Sequence, residues 1–274
     1  MDRQLKFLYT NADSLTNKIH ELCSIATTDN IDVICVTETL PKTNRTLDRE
    51  GSLPLPNYIN YDCTTGRGVS IYVHNRLKSE QCFFKTAFND QVWVILELPV
   101  NTRLVIGGIY RSPNSPQTNN DNLINLLDEI GDLRNNHIVI MGDFNFNQVD
   151  WKQMKVTARP SHPAHQTFCK INDIFLEQII FEPTRHRIGQ TANTLDWILS
   201  NYPERIESLN ILAPLGEKGD HNVIVFNYDI PNRLRKTPAD SYCYSKGEYD
   251  KLSRELNKVD WDSFLKDKTV DLSW

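Results

Sequence analysis

The chain has 274 residues, of which 39% are hydrophobic and 24% charged, and its formal net charge is −5. This length and apolar content allow one large core, which excludes global disorder. A polyanionic substrate would have to be met by a local basic surface, since the field of the whole protein is weakly negative.

The cysteines and apolar runs indicate the cellular setting. The six cysteines are scattered without a Cys-x-x-Cys pair, and one lies in the apolar run 33–36, which predicts reduced, mostly buried thiols in an intracellular protein. No apolar run approaches the length of a membrane span, and the N-terminus precedes a strand rather than a signal-peptide core. We therefore expect a soluble protein without a membrane partner.

The first predicted strand leads into a polar loop. Alternating apolar residues predict a strand over 5–9, and a helix should follow with Asp13 or Ser14 as its N-cap. Asn11 lies in the connecting loop, where a loop-stabilising amide is the ordinary interpretation.

A second buried strand is predicted over 31–36, and Glu38 follows it. A lone glutamate at the end of a strand is usually solvated. Glu38 would gain a function if it converged with a carboxylate placed in the same way, such as Asp143, because two such groups form a hard-oxygen site suited to Mg²⁺.

The middle of the chain predicts a series of strands. Residues 53–62 carry two prolines and are expected to be irregular, whereas 69–73 and 92–98 predict strands that pair antiparallel. A third strand is predicted over 104–109, and a helix over 120–133.

Tyr110 and Arg111 come directly after the third of these strands. A phenol and a guanidinium both suit a phosphate oxygen. The structural alternative is an aromatic ring packed on the rim of the core beside a solvated arginine.

The central stretch is the apolar, β-branched run 138–141, which predicts a strand buried on both faces and leads through Gly142 into Asp143 and Asn145. In an open α/β architecture ligands collect at the carboxyl ends of strands, and glycine permits a close backbone approach. An ordinary transition from strand to turn, with Asp and Asn as turn formers, is the competing interpretation.

The C-terminal half predicts a helix over 166–177, a basic hairpin-like insertion over 184–191 and a strand over 195–199. A charged insertion of this kind is usually a solvated loop. Asp196 lies in the apolar strand and needs a partner, because burial of an unpaired carboxylate is costly.

His221 is the candidate partner of Asp196. It follows Asp220 in a glycine-flanked segment before a strand predicted over 223–226. An imidazole held by a carboxylate is an oriented general acid, base or phosphate-stabilising group, although a lone histidine near a strand is more often structural.

The composition changes after residue 230. Residues 231–238 predict a basic linker, and residues 245–248 have the form of a capping box before an amphipathic helix. We therefore predict a domain over 1–230, followed over 231–274 by a linker and a helix that look like the beginning of a further region.

The residues singled out above share one feature, a predicted position at or near a strand end. They are Asn11, Glu38, Tyr110, Asp143, Asn145, Asp196, Asp220 and His221. Carboxylates, amides, one histidine and a phosphate-binding tyrosine in this arrangement point to metal-assisted phosphoester hydrolysis.

In this order the motifs resemble those of the endonuclease/exonuclease/phosphatase superfamily, which has Asn and Glu near the N-terminus, a central Gly-Asp-x-Asn and a late Asp-His. The resemblance covers residues 4–229. Segments 11–18, 37–40 and 110–113 look like the apurinic-type endonuclease domain of non-LTR retrotransposons, in particular the LINE-like, jockey-like group, rather than like repair enzymes.

The resemblance implies a metal site and one departure from the family pattern. Glu38, helped by Asn11 and Asp220, would hold Mg²⁺, with Mn²⁺ as a substitute. Gly219 stands where the family usually has Ser before Asp-His. The missing hydroxyl would weaken the positioning of this loop.

The resemblance also implies catalytic roles. Asp143 would orient or deprotonate the attacking water, with Asn145 beside it. His221, oriented by Asp196, and Tyr110 would stabilise the pentacovalent phosphate as charge builds on its oxygens.

Contacts to DNA are expected from a third set of residues. Thr184 matches a phosphate-contacting threonine by its spacing, and Arg111 would bind phosphate. Arg185 and Arg187, in the 184–191 insertion, would enter the minor groove and sense its shape, or else make only nonspecific phosphate contacts.

The fold implied by the resemblance is a four-layer αββα sandwich of two mixed β-sheets, DNase I-like, in the α/β class. The implied function is Mg²⁺-dependent nicking of double-stranded target DNA, in the nucleus, with a downstream reverse transcriptase region as partner. A phosphatase of the same superfamily acting on inositol phosphates or lipids, or a decayed copy that binds DNA without cleaving it, are the alternatives.

Overall fold

The computed structural model describes residues 4–42, 53–187, 189, 191–230, 249–261 and 263. The chain divides into two compact units, Met1–Asn232 and Arg233–Trp274. The predicted basic linker and capping box lie outside the described residues. No helix in the described part of the chain has the length and apolarity that crossing a membrane requires.

The first unit contains fourteen strands and three α-helices among its described residues. The strands are β1 (Gln4–Asn11), β2 (Val33–Thr37), β3 (Tyr58–Cys63), β4 (Val69–His74), β5 (Ser79–Cys82), β6 (Gln91–Leu98), β7 (Thr102–Tyr110), β8 (His137–Asp143), β9 (Val149–Asp150), β10 (Lys155–Val156), β11 (Glu177–Gln178), β12 (Asp196–Ser200), β13 (Ile206–Leu212) and β14 (Val223–Asp229). The helices are α1 (Ile19–Thr28), α2 (Gln117–Gly131) and α3 (Pro163–Asp173), and the second unit contains α4 (Tyr249–Leu256).

Two six-stranded mixed sheets form the centre of the first unit, in the orders β13-β14-β1-β2-β4-β3 and β11-β12-β8-β7-β6-β5. Each sheet has one parallel pair at its middle, β1 with β2 and β7 with β8, and its other neighbours are antiparallel. Strands β9 and β10 form a separate antiparallel pair.

The core is layered because successive side chains of a strand point to opposite faces of its sheet. In β1, Phe7 and Tyr9 belong to the apolar cluster between the two sheets, whereas Leu8 joins the cluster that contains buried residues of α1. In β8, Met141 faces the other sheet and Ile140 faces the cluster formed with α2 and α3. Helix, sheet, sheet and helix layers follow, and the predicted four-layer α/β fold is confirmed.

The predicted pairing of 69–73 with 92–98 is wrong. The two strands lie in different sheets, because β4 pairs with β2 and β3 while β6 pairs with β5 and β7. Both runs are apolar on both faces, and such a run fits the middle of either sheet. The segment 53–62 was expected to be irregular but ends in β3, because both of its prolines precede Tyr58.

Several element ends also differ from the prediction. Asn11 is the last residue of β1 rather than a loop residue. Helix α1 begins at Ile19, and Asp13 and Ser14 take positive φ values of 39° and 80° in the preceding loop instead of capping it. The helices predicted over 120–133 and 166–177 begin three residues earlier.

His137 ties the start of β8 to the opposite sheet and should make stability depend on pH. It hydrogen-bonds the Tyr228 hydroxyl and stacks on Tyr202 with ring centroids 4.1 Å apart. Burial, with a contribution from Arg205, lowers the pKa of His137 to about 4. Between the ordinary histidine pKa of about 6.5 and this folded-state pKa, the unfolded chain binds the proton and the folded chain does not. The free energy of unfolding should therefore fall as pH falls through this window.

Urea unfolding at pH 7 and pH 5 tests this expectation. The native protein should lose about 1 kcal/mol more than the His137→Gln variant between the two pH values, after allowance for solvent screening. Equal losses in the two proteins would show that His137 is not held neutral by its surroundings.

Candidate active site

A polar cleft of about 1040 Å³ opens where the two parallel strand pairs end. Asn11 lies opposite Thr37 at the end of β1 and β2, and Tyr110 lies opposite Asp143 at the end of β7 and β8. Because loops leave a sheet at the carboxyl ends of its parallel strands, side chains from both sheets can converge at this point.

The Asn11 amide joins the two sheets at the floor of the cleft. Its Nδ2 donates to Glu38 Oε1 and to Asp143 Oδ2, both at 2.9 Å, while its Oδ1 accepts the backbone N–H of Asp13 at 3.0 Å. The predicted convergence of Glu38 and Asp143 is therefore present. Asn11 serves as the bridge between these carboxylates, and its oxygen faces the backbone.

Asp143 is almost fully buried, and burial raises its pKa to about 8, although the nearby His221 opposes the shift. Oδ1 accepts the backbone N–H of Asn145 at 3.0 Å, and the Asn145 side chain donates to the Arg111 carbonyl at 2.9 Å. The φ of Asn145 is +51°, so its backbone lies in the left-handed region within the turn whose backbone N–H bonds the Asp143 carboxylate. Gly142 is required before it, since a Cβ there would lie 2.1 Å from the Ile109 carbonyl oxygen.

His221 is oriented by Asp196, as predicted from the sequence. His221 Nδ1 lies 2.8 Å from Asp196 Oδ2, and the Tyr9 hydroxyl donates to Asp196 Oδ1 at 2.8 Å. Desolvation lowers the pKa of His221, but Asp196 outweighs it and the pKa rises to about 9. His221 Nε2 is then free to face Asp143 Oδ2, 3.9 Å away.

Asp143, Asp196 and His221 form the one group in the described part of the chain whose His, Cys, Asp or Glu ligand atoms are close enough to hold a metal. We interpret it as a hydrogen-bonded relay. Both oxygens of Asp196 already accept hydrogen bonds, and His221 Nδ1 is bonded to one of them. The hard-oxygen side of the cleft lies instead at Glu38.

Tyr110 lines the cleft, but Arg111 and Thr184 do not. Burial raises the pKa of the Tyr110 phenol and the carboxylates of Glu38 and Asp143 raise it further, so Tyr110 stays protonated. Arg111 is buried over the Phe146 ring, 4.0 Å from its centroid, with Nε donating to Asn120 Oδ1 at 2.8 Å.

The geometry thus disagrees with the predicted DNA contacts of Arg111 and Thr184. The Arg111 guanidinium is used within the core. Thr184 is fully buried, and its Oγ1 accepts the backbone N–H of Asp196 at 3.1 Å. Both side chains hold neighbouring parts of the protein in place, Thr184 through the Asp196 backbone and Arg111 through Asn120.

Asp220 is held by the basic insertion rather than by Glu38. Its Oδ2 accepts hydrogen bonds from Arg185 Nε at 3.1 Å and lies 3.0 Å from Nη2, and its carbonyl accepts the backbone N–H of His186. This ion pair disagrees with the predicted metal ligation by Asp220. Arg187 is exposed on the wall of the cleft.

Two residues of the site were missed by the sequence reasoning. Asp13 and Arg67 both line the cleft, and they are joined by an ion pair of 2.8 Å. Asp13 lies two residues after Asn11, a spacing that could have placed it near the site, whereas a lone arginine between two glycines carries no recognisable signal.

Gly219 belongs to a loop that is built without a side chain at this position. A Cβ there would lie 2.5 Å from the Leu215 carbonyl oxygen and 2.7 Å from Pro214 Cβ. A serine would force the backbone to move. The loop that carries Asp220 and His221 is therefore positioned by close packing and by the Arg185 ion pair, not by a hydroxyl at residue 219.

The sequence matches the Endonuclease/Exonuclease/phosphatase family over residues 6–221. The chain belongs to this family. The predicted superfamily and the prediction of a hydrolytic enzyme are confirmed, and members of the Endonuclease/Exonuclease/phosphatase family depend on divalent metals. No match is found among curated proteins.

Solved structures of Endonuclease/Exonuclease/phosphatase type share the fold. The endonuclease domain of TRAS1, a telomere-specific non-LTR retrotransposon, is 17% identical with a TM-score of 0.64, covering 83% of this chain and all of its own. An AP endonuclease from Archaeoglobus fulgidus is 17% identical with a TM-score of 0.62, and the match covers 82% of this chain and 100% of that one. The 3′ phosphatase NExo from Neisseria, bound to a product DNA hairpin, is 15% identical with a TM-score of 0.61, and the match covers 82% of this chain and 99% of that one.

Proposed function

We propose that this chain is a divalent-metal-dependent DNA endonuclease that nicks double-stranded target DNA for a retroelement. The observation that carries the proposal is the convergence, in one cleft, of the bridged carboxylates Glu38 and Asp143 with the oriented imidazole of His221. Phosphodiester hydrolysis needs a base for water, a cation for the phosphate and a place for a metal, and this cleft offers all three.

The donors around Glu38 fit a hard cation. Glu38 and Asp13 supply carboxylate oxygens, and Mg²⁺ prefers oxygen ligands, with Mn²⁺ as a substitute. The Asn11 oxygen accepts the Asp13 backbone N–H, so Asn11 positions Glu38 through its amide nitrogen rather than binding the metal. Glu38 has a φ of +52°, a conformation held against local strain. A bound metal would supply Lewis-acid stabilisation of phosphate charge.

Asp143 is suited to activate water. Burial raises the pKa of the Asp143 carboxyl, which makes its carboxylate a stronger base for a proton of water than an exposed one. Hydrogen bonds from Asn11 and from the Asn145 backbone fix both oxygens of Asp143.

His221 and Tyr110 are suited to hold the phosphate. The raised pKa of His221 keeps the ring cationic at neutral pH, and Asp196 fixes its orientation. Tyr110 keeps its proton and can donate to a phosphate oxygen. Preorganised donors of this kind stabilise the charge that develops in the transition state.

The walls of the cleft favour a polyanion as substrate. Five basic side chains line the cleft, which are Lys42, Arg67, Arg185, Arg187 and Lys218. Lys42, Arg67 and Arg185 pair with carboxylates of the cleft, so Arg187 and Lys218 are the side chains that we expect to attract a polyanion.

The retroelement context is supported by the sequence motifs and by the fold shared with the TRAS1 endonuclease domain. We propose from this context how the chain is divided into domains. Residues 1–230 would form the nicking unit, and residues 231–274 would lead to a reverse transcriptase region. Nicking by a 1–230 fragment at the rate of the whole chain supports this division, and its loss contradicts it.

Incubation of the protein with supercoiled plasmid and, separately, with phosphoinositide vesicles tests the proposed activity. Nicked circles should accumulate with Mg²⁺ or Mn²⁺, and none should form when EDTA is present from the start, since the proposed ligands are hard oxygens. Phosphate should not be released from the vesicles.

Each alternative has its own signature in these assays. Undiminished nicking in chelator contradicts the metal assignment. Phosphate release without nicking favours the phosphatase, and DNA binding without turnover favours a decayed copy.

We further propose that Arg187 carries part of the target preference. The catalytic residues face a phosphate that is the same at every step of the duplex, so selectivity must come from surface loops. Within the 184–191 insertion Thr184 is buried and Arg185 is paired with Asp220, whereas His186 and Arg187 are exposed beside the cleft, and Arg187 is the one that carries a permanent charge. An arginine there could sense minor-groove width.

Mapping of nick positions on a long duplex at fixed salt tests the Arg187 proposal. Arg187→Ala should change the nick pattern, while the exposed Arg159→Ala, outside the cleft, should not. Uniform weakening at all sites with a shallower salt dependence would reduce Arg187 to a nonspecific phosphate contact.

A further inference from the structure

An arginine lies at the acidic side of the cleft, where the proposed metal ligands are. Arg67 Nε donates to Glu38 Oε2 at 2.8 Å, and its Nη2 contacts the same oxygen and also Asp13 Oδ1 at 2.8 Å. The Arg67 and Glu38 side chains are only 11% and 12% exposed. The guanidinium therefore contacts both carboxylates, and its contact with Glu38 is largely shielded from water.

The turn that carries Arg67 is fixed. Asp90 Oδ1 accepts the backbone N–H groups of Arg67 at 2.7 Å and of Gly68 at 3.1 Å. Gly66 and Gly68 have φ values of +57° and +80°, and a Cβ on Gly66 would lie 2.2 Å from the Asp90 carboxylate. Two glycines and a buried aspartate thus hold the backbone so that the arginine side chain reaches Glu38.

The guanidinium is incompletely satisfied in this position. Arg67 Nη1 is buried without a hydrogen-bond partner. An unpaired buried donor costs free energy, so this ion pair is weaker than a fully bonded one and can be displaced. Lys42, 2.9 Å from Asp13, adds a second cation on the same side.

We propose that Arg67 is a tethered cation that competes with the divalent metal for Glu38 and Asp13. The inference rests on the proposed metal-dependent function. The guanidinium neutralises the two carboxylates while the metal is absent, and the metal must displace it or bind against its charge. Arg67 thereby lowers the metal affinity of the site while protecting the metal-free fold from repulsion between carboxylates.

Binding of Mn²⁺, followed by the loss of the free-ion electron paramagnetic resonance signal, tests the competition without any need for catalysis. Arg67→Gln should bind Mn²⁺ with a Kd about tenfold lower than the native chain, because the competing charge is gone. Arg76→Gln is the matched control. Arg76 also pairs with a buried carboxylate, Asp32, but lies outside the cleft, so its Kd should be unchanged.

The outcomes separate this inference from the proposed function. An unchanged or higher Kd in Arg67→Gln, with native binding that Glu38→Gln abolishes, overturns the competition and leaves the metal site standing. Absence of Mn²⁺ binding in the native chain and in Arg67→Gln overturns both. Binding by Arg67→Gln alone supports the competition strongly.

A measurement on the native chain avoids reliance on the folding of Arg67→Gln. The Arg67 Nε–Hε resonance, assigned by its loss in Arg67→Lys, should shift as diamagnetic Mg²⁺ saturates the protein, because the contact with Glu38 is broken or weakened. The Arg76 resonance should stay in place. An Arg67 resonance that does not respond to saturating Mg²⁺ would contradict the proposal.

Discussion

The arrangement of the cleft depends on the burial of one carboxylate, that of Asp143. A buried carboxylate is costly unless donors and a cation surround it, and here they come from three separate parts of the chain. Asn11 reaches from the other sheet, the Asn145 backbone turns back from the next loop, and His221 supplies positive charge from before β14. The same requirements that stabilise Asp143 assemble the functional groups around it.

The two sheets are coupled through polar contacts at this end. Tyr9, on β1, donates to Asp196 on the opposite sheet and shares a hydrogen bond with Thr37. Asp196 and Asp143 are register partners in β12 and β8, so any shift of β12 would move Asp196, and with it the His221 ring, relative to Asp143. At the other end of the sheets the His137–Tyr228 hydrogen bond makes a second polar tie, and between these ends apolar side chains fill most of the space between the sheets.

Much of the site follows from the sequence, because strand ends can be read from apolar runs that stop at a polar residue. Glu38 and Asp143 follow such runs, whereas His221 was singled out by the Asp-His pair that precedes a predicted strand. Which way a side chain turns is decided by tertiary packing, and for this reason the sequence does not indicate that Arg111 and Thr184 are buried with partners inside the protein. The pairing of 69–73 with 92–98 failed for a related reason, since an apolar run does not name its partner. Arg67 could not be found at all, because its contact with Glu38 depends on a turn that Asp90 fixes from another part of the chain.

The rate at which Asp143→Asn nicks supercoiled plasmid tests the account most directly. Asparagine keeps the shape of the side chain but cannot take a proton, so the rate should fall by at least ~100-fold in a variant that still folds. Asp128→Asn, an exposed aspartate paired with Lys170 outside the cleft, should nick at the native rate. A folded Asp143→Asn variant that nicks at nearly the native rate would contradict the role assigned to this carboxylate.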